Sequence, residues 1–303
     1  MKVLFVASGN KGRFAPFITE QAEALQRLGC EVDFFAVRGK GFSGYLRARE
    51  GLLAAIRTFQ PDLVHAHYGL CGLLATLQRK VPVVTTFHGS DINEPGVRHF
   101  SRLAMRRSAH SIFVAQTLVD ILKPRKNFTL LPCGVDLAAF PDLSKAEARK
   151  RLSLPLDGKR ILFAGAFDNP VKNAALAREA TALVPEAELI ELKGFRREEV
   201  ALQMLAADAL LMTSLTEGSP QVVKEAMAAG CPVVSVDVGD VRERIAGLSA
   251  CSICERSPED LAEGLRSALA FPGRTEGRER LCALGLDNNR IAGQLIEIYQ
   301  SCL

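Results

Sequence analysis

From Lys2 onward, short apolar runs alternate with longer amphipathic ones, and this alternation constrains the fold more than any other feature. The apolar runs are strand-sized and lack the in-out alternation of a half-exposed strand, so they are expected to be buried on both faces. Strands are predicted at 2–7, 31–37, 63–66, 81–87, 111–115 and 128–131. Helices are predicted at 14–28, 44–59, 71–78 and 98–108. Gly, Pro and Asp then gather over 134–144, and the pattern restarts. The second series has strands at 160–164, 187–192, 209–213 and 233–235, and helices at 174–183, 198–206, 221–229, 240–246 and 258–270. A last helix is predicted over 289–299. Strand–helix repetition of this kind makes parallel sheets covered by helices, so two doubly wound α/β domains are expected, 1–135 and 136–284.

Composition narrows the class. The 303 residues are 48% hydrophobic and 24% charged, which excludes collagen, a disordered chain and a disulfide-stapled module. No apolar stretch approaches the roughly 20 residues that span a bilayer. The first strand turns after five apolar residues into a glycine-bearing loop, unlike a signal peptide, so a cytoplasmic protein is expected. Of eight cysteines only Cys251 and Cys254 are close, with no second pair and no histidine beside them, so no metal site is expected. The net charge of +4 hides an asymmetry: residues 1–135 carry +9 and residues 136–303 carry −5. A basic half suits an anionic partner. No aromatic stacking platform accompanies it, so nucleic acid is not expected.

In open α/β sheets ligands meet the carboxyl ends of the strands. Two second-half segments fall there. Glu217-Gly218-Ser219-Pro220-Gln221-Val222-Val223-Lys224-Glu225 joins a strand to a helix. Gly218 permits close backbone approach, Pro220 suits the first helical turn, and the amides that follow suit an anion. Phe163-Ala164-Gly165-Ala166-Phe167-Asp168-Asn169-Pro170-Val171-Lys172-Asn173 also links strand to helix, with Asn173 placed as an N-cap. The first segment resembles the Glu-x7-Glu signature of the retaining glycosyltransferases of family 4, which have the GT-B fold of two Rossmann-like domains facing across a cleft. The resemblance implies that Glu225 holds the ribose hydroxyls of a nucleotide sugar and that Glu217 meets the sugar near the reacting carbon. It implies further that Gly218, Ser219, Pro220, Gln221, Val222 and Lys172 surround the diphosphate. The family's usual Arg in the second segment is replaced by Ala166.

The first half carries matching positions. The turn after the first strand, Ser8-Gly9-Asn10-Lys11-Gly12-Arg13, lacks the Gly-x-Gly-x-x-Gly of dinucleotide enzymes, which argues against a dehydrogenase. By resemblance Gly9, Gly12 and Lys11 line the donor phosphates, with Arg13 near the acceptor. His88-Gly89-Ser90-Asp91 ends a strand and is similar to the family's His-Gly-x-Asp, whose histidine reaches the reaction centre. Asp91 is either an acceptor-side group or an N-cap. His65 and His67 share one strand face, and His67 is the better acceptor-side candidate. Cys133-Gly134-Val135-Asp136 stands where the family has Asn-Gly-Val-Asp and is expected to be a hinge. Arg98, Arg102 and Arg106 fall at helical spacing and make a basic face suited to an anionic membrane. The resemblance also implies that residues 285–303 pack back on the first domain.

The function expected is therefore transfer of a sugar from a nucleoside-diphosphate sugar, a UDP-sugar or else a GDP-sugar, to a glycan or lipid-linked acceptor hydroxyl, in polysaccharide or glycolipid assembly. Helix-end amides and Lys172 stabilise the departing diphosphate, and His88 and Glu217 are the catalytic candidates. No cofactor is expected, nor a divalent metal, there being no Asp-x-Asp. A nucleotide-sugar epimerase and a non-catalytic nucleotide-binding protein are the alternatives.

Overall fold

The computed structural model describes residues 1–10 and 12–303, Phe42 by its backbone alone; Lys11, named above for the first loop, lies outside the described residues. The chain divides into two compact units, Met1–Gly134 with Asn288–Leu303 and Val135–Asp287.

The first unit opens with β1 (Lys2–Ser8), α1 (Pro16–Arg27), β2 (Glu31–Val37), α2 (Gly41–Arg47) and α3 (Arg49–Phe59). It continues through β3 (Leu63–His67), α4 (Gly69–Ala75), β4 (Val83–Phe87), α5 (Ser90–Asn93), α6 (Pro95–Arg107), β5 (His110–Phe113), α7 (Gln116–Leu122) and β6 (Phe128–Leu130). The six strands pair in the order β2-β1-β3-β4-β5-β6, and every pairing is parallel. Strands β3 and β4 are buried at every residue, including the polar His65, His67, Thr85 and Thr86.

The helix expected over 44–59 is two helices: Ala48 N–H bonds Tyr45 three residues back, tightening the last turn of α2. Helix α6 starts earlier than expected because Pro95 occupies its first turn, where the missing N–H costs nothing.

The second unit contains α8 (Lys145–Arg151), β7 (Lys159–Phe163), α9 (Ala174–Ala182), β8 (Ala187–Glu191), α10 (Arg197–Ala206), β9 (Ala209–Met212) and α11 (Gln221–Ala228). Then come β10 (Val233–Val236), α12 (Val241–Ile245), β11 (Ser252–Cys254), α13 (Pro258–Ala270) and α14 (Gly277–Ala283). Its five parallel strands run β11-β10-β9-β7-β8. Helix α8 carries a full capping box between Ser144 and Glu147. It is anchored by the buried Asp208, which takes Arg149 at 2.6 Å, Lys145 at 2.6 Å and the Arg160 N–H at 2.7 Å.

Helix α15 (Asn288–Gln300) belongs to the first unit. Asn289 accepts from Arg27 of α1 at 3.1 Å, and Tyr299 is fully buried.

Each sheet has one place where the strand order reverses. In the first unit it lies between β1 and β3; in the second it lies between β7 and β9. Loops leaving neighbouring strands diverge to opposite faces there, which opens a crevice at the carboxyl ends.

Candidate functional site

The second unit's crevice brings together the two segments singled out in the sequence. Thr213, just past β9, donates its hydroxyl to the carbonyls of Lys172 (2.8 Å) and Asn173 (3.0 Å). Leu215 N–H bonds Val171 O at 2.8 Å, so the β7 and β9 loops are fastened to one another. Gly165 is required here, since a Cβ would lie 2.6 Å from Lys172 Cγ; the lysine stem uses that space. Lys172 Nζ then meets Glu217 Oε1 at 2.6 Å, with side-chain exposures of 21% and 16%. Glu225, about one turn into α11, pairs at 2.7 Å with Arg197 from the start of α10. The Arg197 guanidinium also lies over the Phe140 ring, 5.7 Å from its centroid.

The turn into α11 differs from the expectation in one detail. Pro220 is the N-cap, with extended backbone, and Gln221 is the first helical residue. Gly218 is buried, Ser219 half-buried, and Gln221 and Val222 present the first-turn amides. Ser219 Oγ is held at 3.2 Å by Lys224, a fully buried lysine of the same helix. Gly239, at φ +59°, packs on the Gly218 carbonyl and leaves no room for a Cβ. Asn173 does occupy the N-cap position of α9, but in the left-handed region and without a side-chain cap bond. Asn169 does the capping instead, on the short turn Pro170–Lys172. Ala166, where the family pattern has Arg, is half-buried.

Two basic residues near these loops went unnoticed in the sequence. Arg197 is the partner of Glu225, and Arg256 reaches the carbonyls of Thr213 and Leu215 at 3.4 Å each. Arg197 is followed by Glu198 and Glu199, so it reads as a solvated helix start; nothing local signals it.

In the first unit the β1 turn is fixed by backbone bonds. Gly9 N–H reaches Val37 O at 2.8 Å, and a Cβ on Gly9 would lie 2.7 Å from that of Ala36. Gly12, at φ +76°, bonds back to Gly9. His88 follows β4. Its Nε2 lies 3.1 Å from His67 Nδ1 and its Nδ1 3.9 Å from Cys133 Sγ. Its ring packs on Tyr68 and Phe17, at centroid distances of 4.6 and 5.0 Å.

Asp91 is not the N-cap of its own helix, a place taken by Gly89, but it does line a cavity of this unit. It lies inside α5, and its carboxylate accepts from His88 N (3.1 Å), Gly89 N (3.0 Å) and Gly69 N (2.9 Å). It thereby fastens the His88 loop and caps α4 from another element, whose own N-cap residue Tyr68 is held at φ +72°. Burial pushes Asp91 up to about 6, against the pull of those N–H groups.

His67 is fully buried in β3, so it cannot meet an acceptor; what it meets is His88. Cys133 is not a bare hinge residue, since its sulfur reaches the His88 ring. A cavity of about 560 Å³ lies beside these groups, lined by Asn10, Arg13, Phe14, Tyr45, Tyr68 and Asp91 among others.

The basic stripe on α6 is broken up. Arg98 turns inward to the carbonyls of Ile92 (2.6 Å) and Asn93 (3.2 Å). Arg102 and Arg106 instead line a separate cavity of about 660 Å³ with Lys123, Arg125 and Lys126. Among the described residues no three His, Cys, Asp or Glu side chains are grouped to hold a metal ion, and no helix is long and apolar enough to cross a membrane.

Two doubly wound units of this topology match the GT-B fold of solved glycosyltransferases. Sucrose-phosphate synthase from Thermosynechococcus elongatus superimposes with a TM-score of 0.81 at 18% identity, covering 99% of this chain and 98% of that one. Anabaena HepE, solved in complex with UDP, superimposes with a TM-score of 0.74 at 15% identity, covering 99% and 100%. The model of Glycosyltransferase Family 4 matches residues 15–139, and that of Glycosyl transferases group 1 matches residues 137–270. The chain belongs to this family. A Bacillus subtilis (strain 168) glycosyltransferase named for teichuronic acid biosynthesis is 30% identical over 69% of this chain and 61% of its own length. A D-inositol 3-phosphate glycosyltransferase of Thermobispora bispora is 26% identical over 98% of this chain and 91% of its own. The chain thus spans less than two thirds of the first of these relatives.

Proposed function

We propose that this protein transfers a glycosyl group from a nucleoside-diphosphate sugar, a UDP-sugar in the first instance, to a hydroxyl of a glycan or lipid-linked acceptor, with retention of anomeric configuration. The observation that carries the reading is the Lys172–Glu217 pair at the second unit's crevice, before the amino end of α11, the helix that carries Glu225 in its second turn. A cation and first-turn amides suit a diphosphate. Two carboxylates suit hydroxyls, which donate to them.

Each residue then has a task. On donor binding Lys172 exchanges the Glu217 carboxylate for a phosphate oxygen, and Glu217 turns to the sugar hydroxyls. Glu225, oriented by Arg197, takes the ribose diol. The bond from the anomeric carbon to the diphosphate oxygen breaks as the acceptor oxygen bonds that carbon. The acceptor proton passes to a phosphate oxygen of the leaving group, so no protein base is required. Lys172 and the amides stabilise the charge that develops there. In the first unit His88 and Gly9 serve the donor sugar and phosphates, and the cavity beside Tyr68 and Arg13 takes the acceptor. The UDP and UDP-glucose complexes of HepE support a uridine nucleotide as donor. The basic cavity lined by Arg102, Arg106 and Lys123 supports peripheral contact with an anionic membrane from the cytoplasmic side.

Calorimetric titration with UDP, GDP, ADP and CMP tests the reading. Micromolar binding of one of them, lost in Glu225→Ala, is the expected result. No binding by any of the four, or equal binding by Glu225→Ala, overturns it.

A further inference from the structure

Two histidines of β3, His65 and His67, lie on the same strand face with ring centroids 4.4 Å apart, and both are fully buried. Their hydrogen bonding is unequal. His65 is partnered at both nitrogens: Nε2 lies 2.7 Å from Thr86 Oγ1 and Nδ1 2.6 Å from Tyr299 Oη. Among the described residues His67 has one hydrogen-bond partner, His88 Nε2, at 3.1 Å from its Nδ1. Its Nε2 is buried and meets no polar atom among the described residues.

This inequality fixes the proton. Burial, together with the neighbouring His65 and His88 rings, holds His67 well below the usual imidazole range, so it is neutral and carries one ring proton. A proton on Nε2 would be an orphaned buried donor. A bare lone pair there is the more readily tolerated choice, since orphaned N–H groups are the rarer kind. The proton therefore resides on Nδ1 and is donated to His88 Nε2. An imidazole whose Nε2 accepts must, when neutral, carry its own proton on Nδ1. The Cys133 sulfur lies 3.9 Å from that nitrogen and is a weaker acceptor than a substrate oxygen would be.

We propose that His67 is a positioning residue that fixes His88 as the Nδ1–H tautomer, so that His88 meets the substrate as a hydrogen-bond donor to a sugar or acceptor oxygen and not as a base. The role of His88 at the site is taken from the function proposed above; the tautomer stands on the hydrogen-bond geometry and the burial of His67.

The test separates the two. Long-range proton–nitrogen NMR on the wild-type protein, with its histidines labelled with nitrogen-15, reads the protonated nitrogen of each ring. The expected result is Nδ1–H for both His67 and His88; Nε2–H on either overturns the proposal. Two variants add a kinetic reading. His67→Asn places an amide N–H near the lost Nδ1–H, and His67→Leu does not. His67→Leu is expected to lower kcat about tenfold, the worth of one ordinary hydrogen bond, with the donor KM unchanged. His67→Asn is expected to restore most of the rate. Hydrogen-exchange protection of the first unit's strands checks that each variant is folded there, which UDP binding to the other unit does not report. Wild-type kcat in His67→Leu overturns the positioning role. Wild-type turnover in His88→Ala overturns the site reading instead, whatever tautomer the spectrum reports.

Discussion

The two crevices share a topology and differ in chemistry. In the first unit the strand ends carry rings and neutral hydrogen bonds: His67 to His88, His65 to Thr86 and Tyr299, and Tyr68 packed on His88. The one carboxylate among them, Asp91, is spent on backbone N–H groups. In the second unit the strand ends carry opposed charges, Lys172 with Glu217 and Arg197 with Glu225, half-screened by their surroundings. A neutral buried network keeps its donors and acceptors in place through a reaction. A partly exposed ion pair contributes little stability of its own and trades partners when an anion arrives. The first unit is thus built to hold a geometry and the second to accept charge.

The largest test of this contrast is acid. His65, fully buried, is pushed from 6.5 down to about 3. Its folded value lies below its unfolded one, so the stability it secures is full above about 6.5 and is lost as pH falls toward 3. The loss is roughly 5 kcal/mol, and His67 adds to it in the same direction. Asp91 opposes them: its folded value is raised to about 6, so its contribution is full below 3.8 and lost as pH rises through 6. That term is about 3 kcal/mol, and the histidines win. Hydrogen exchange read segment by segment should show the first unit opening before the second between pH 6 and 4, with His65→Leu flattening the trend. Simultaneous opening would remove the contrast.

Next in size is the second unit's charge. Lys172→Ala should lower kcat about 100-fold, the loss expected of a group that stabilises a departing oxyanion. In Glu217→Ala the same lysine is released from its partner, so UDP binding should tighten while turnover falls. Tightening without loss of turnover would show that Glu217 only restrains the lysine. Smaller again is salt. Raising it from 0.05 to 0.5 M should weaken UDP binding severalfold by screening, and should leave the first unit's acid transition in place. The smallest effect is structural: Ser144→Ala, which opens the capping box of α8, should cost about 1 kcal/mol in thermal or denaturant unfolding.

Much of this was legible before any coordinates. The strand–helix alternation is dictated by burial on both sheet faces, so it is written along the chain. Lys172, Glu217, Glu225 and His88 each stand in a recognisable strand-end segment. What was not legible is who meets whom. The Lys172–Glu217 pair joins the loops of β7 and β9, which become neighbours only through the sheet order. Arg197 is hidden by the acidic residues that follow it. His67 stands at the end of its strand, where the sequence suggests an acceptor-side group, and only burial shows it behind His88. The Ser144-x-x-Glu147 capping box was a readable signal for α8 that went unused.

The Tyr299 hydroxyl on His65 carries a consequence for synthesis. The second unit is one uninterrupted stretch, whereas the first is completed by a helix made after it. On the ribosome the later unit is the one that can close first. The earlier one waits with a gap beside His65 until the residues around Tyr299 emerge. A nascent chain stalled before that point would carry a finished second unit and an open first one, the state in which a chaperone has most to do.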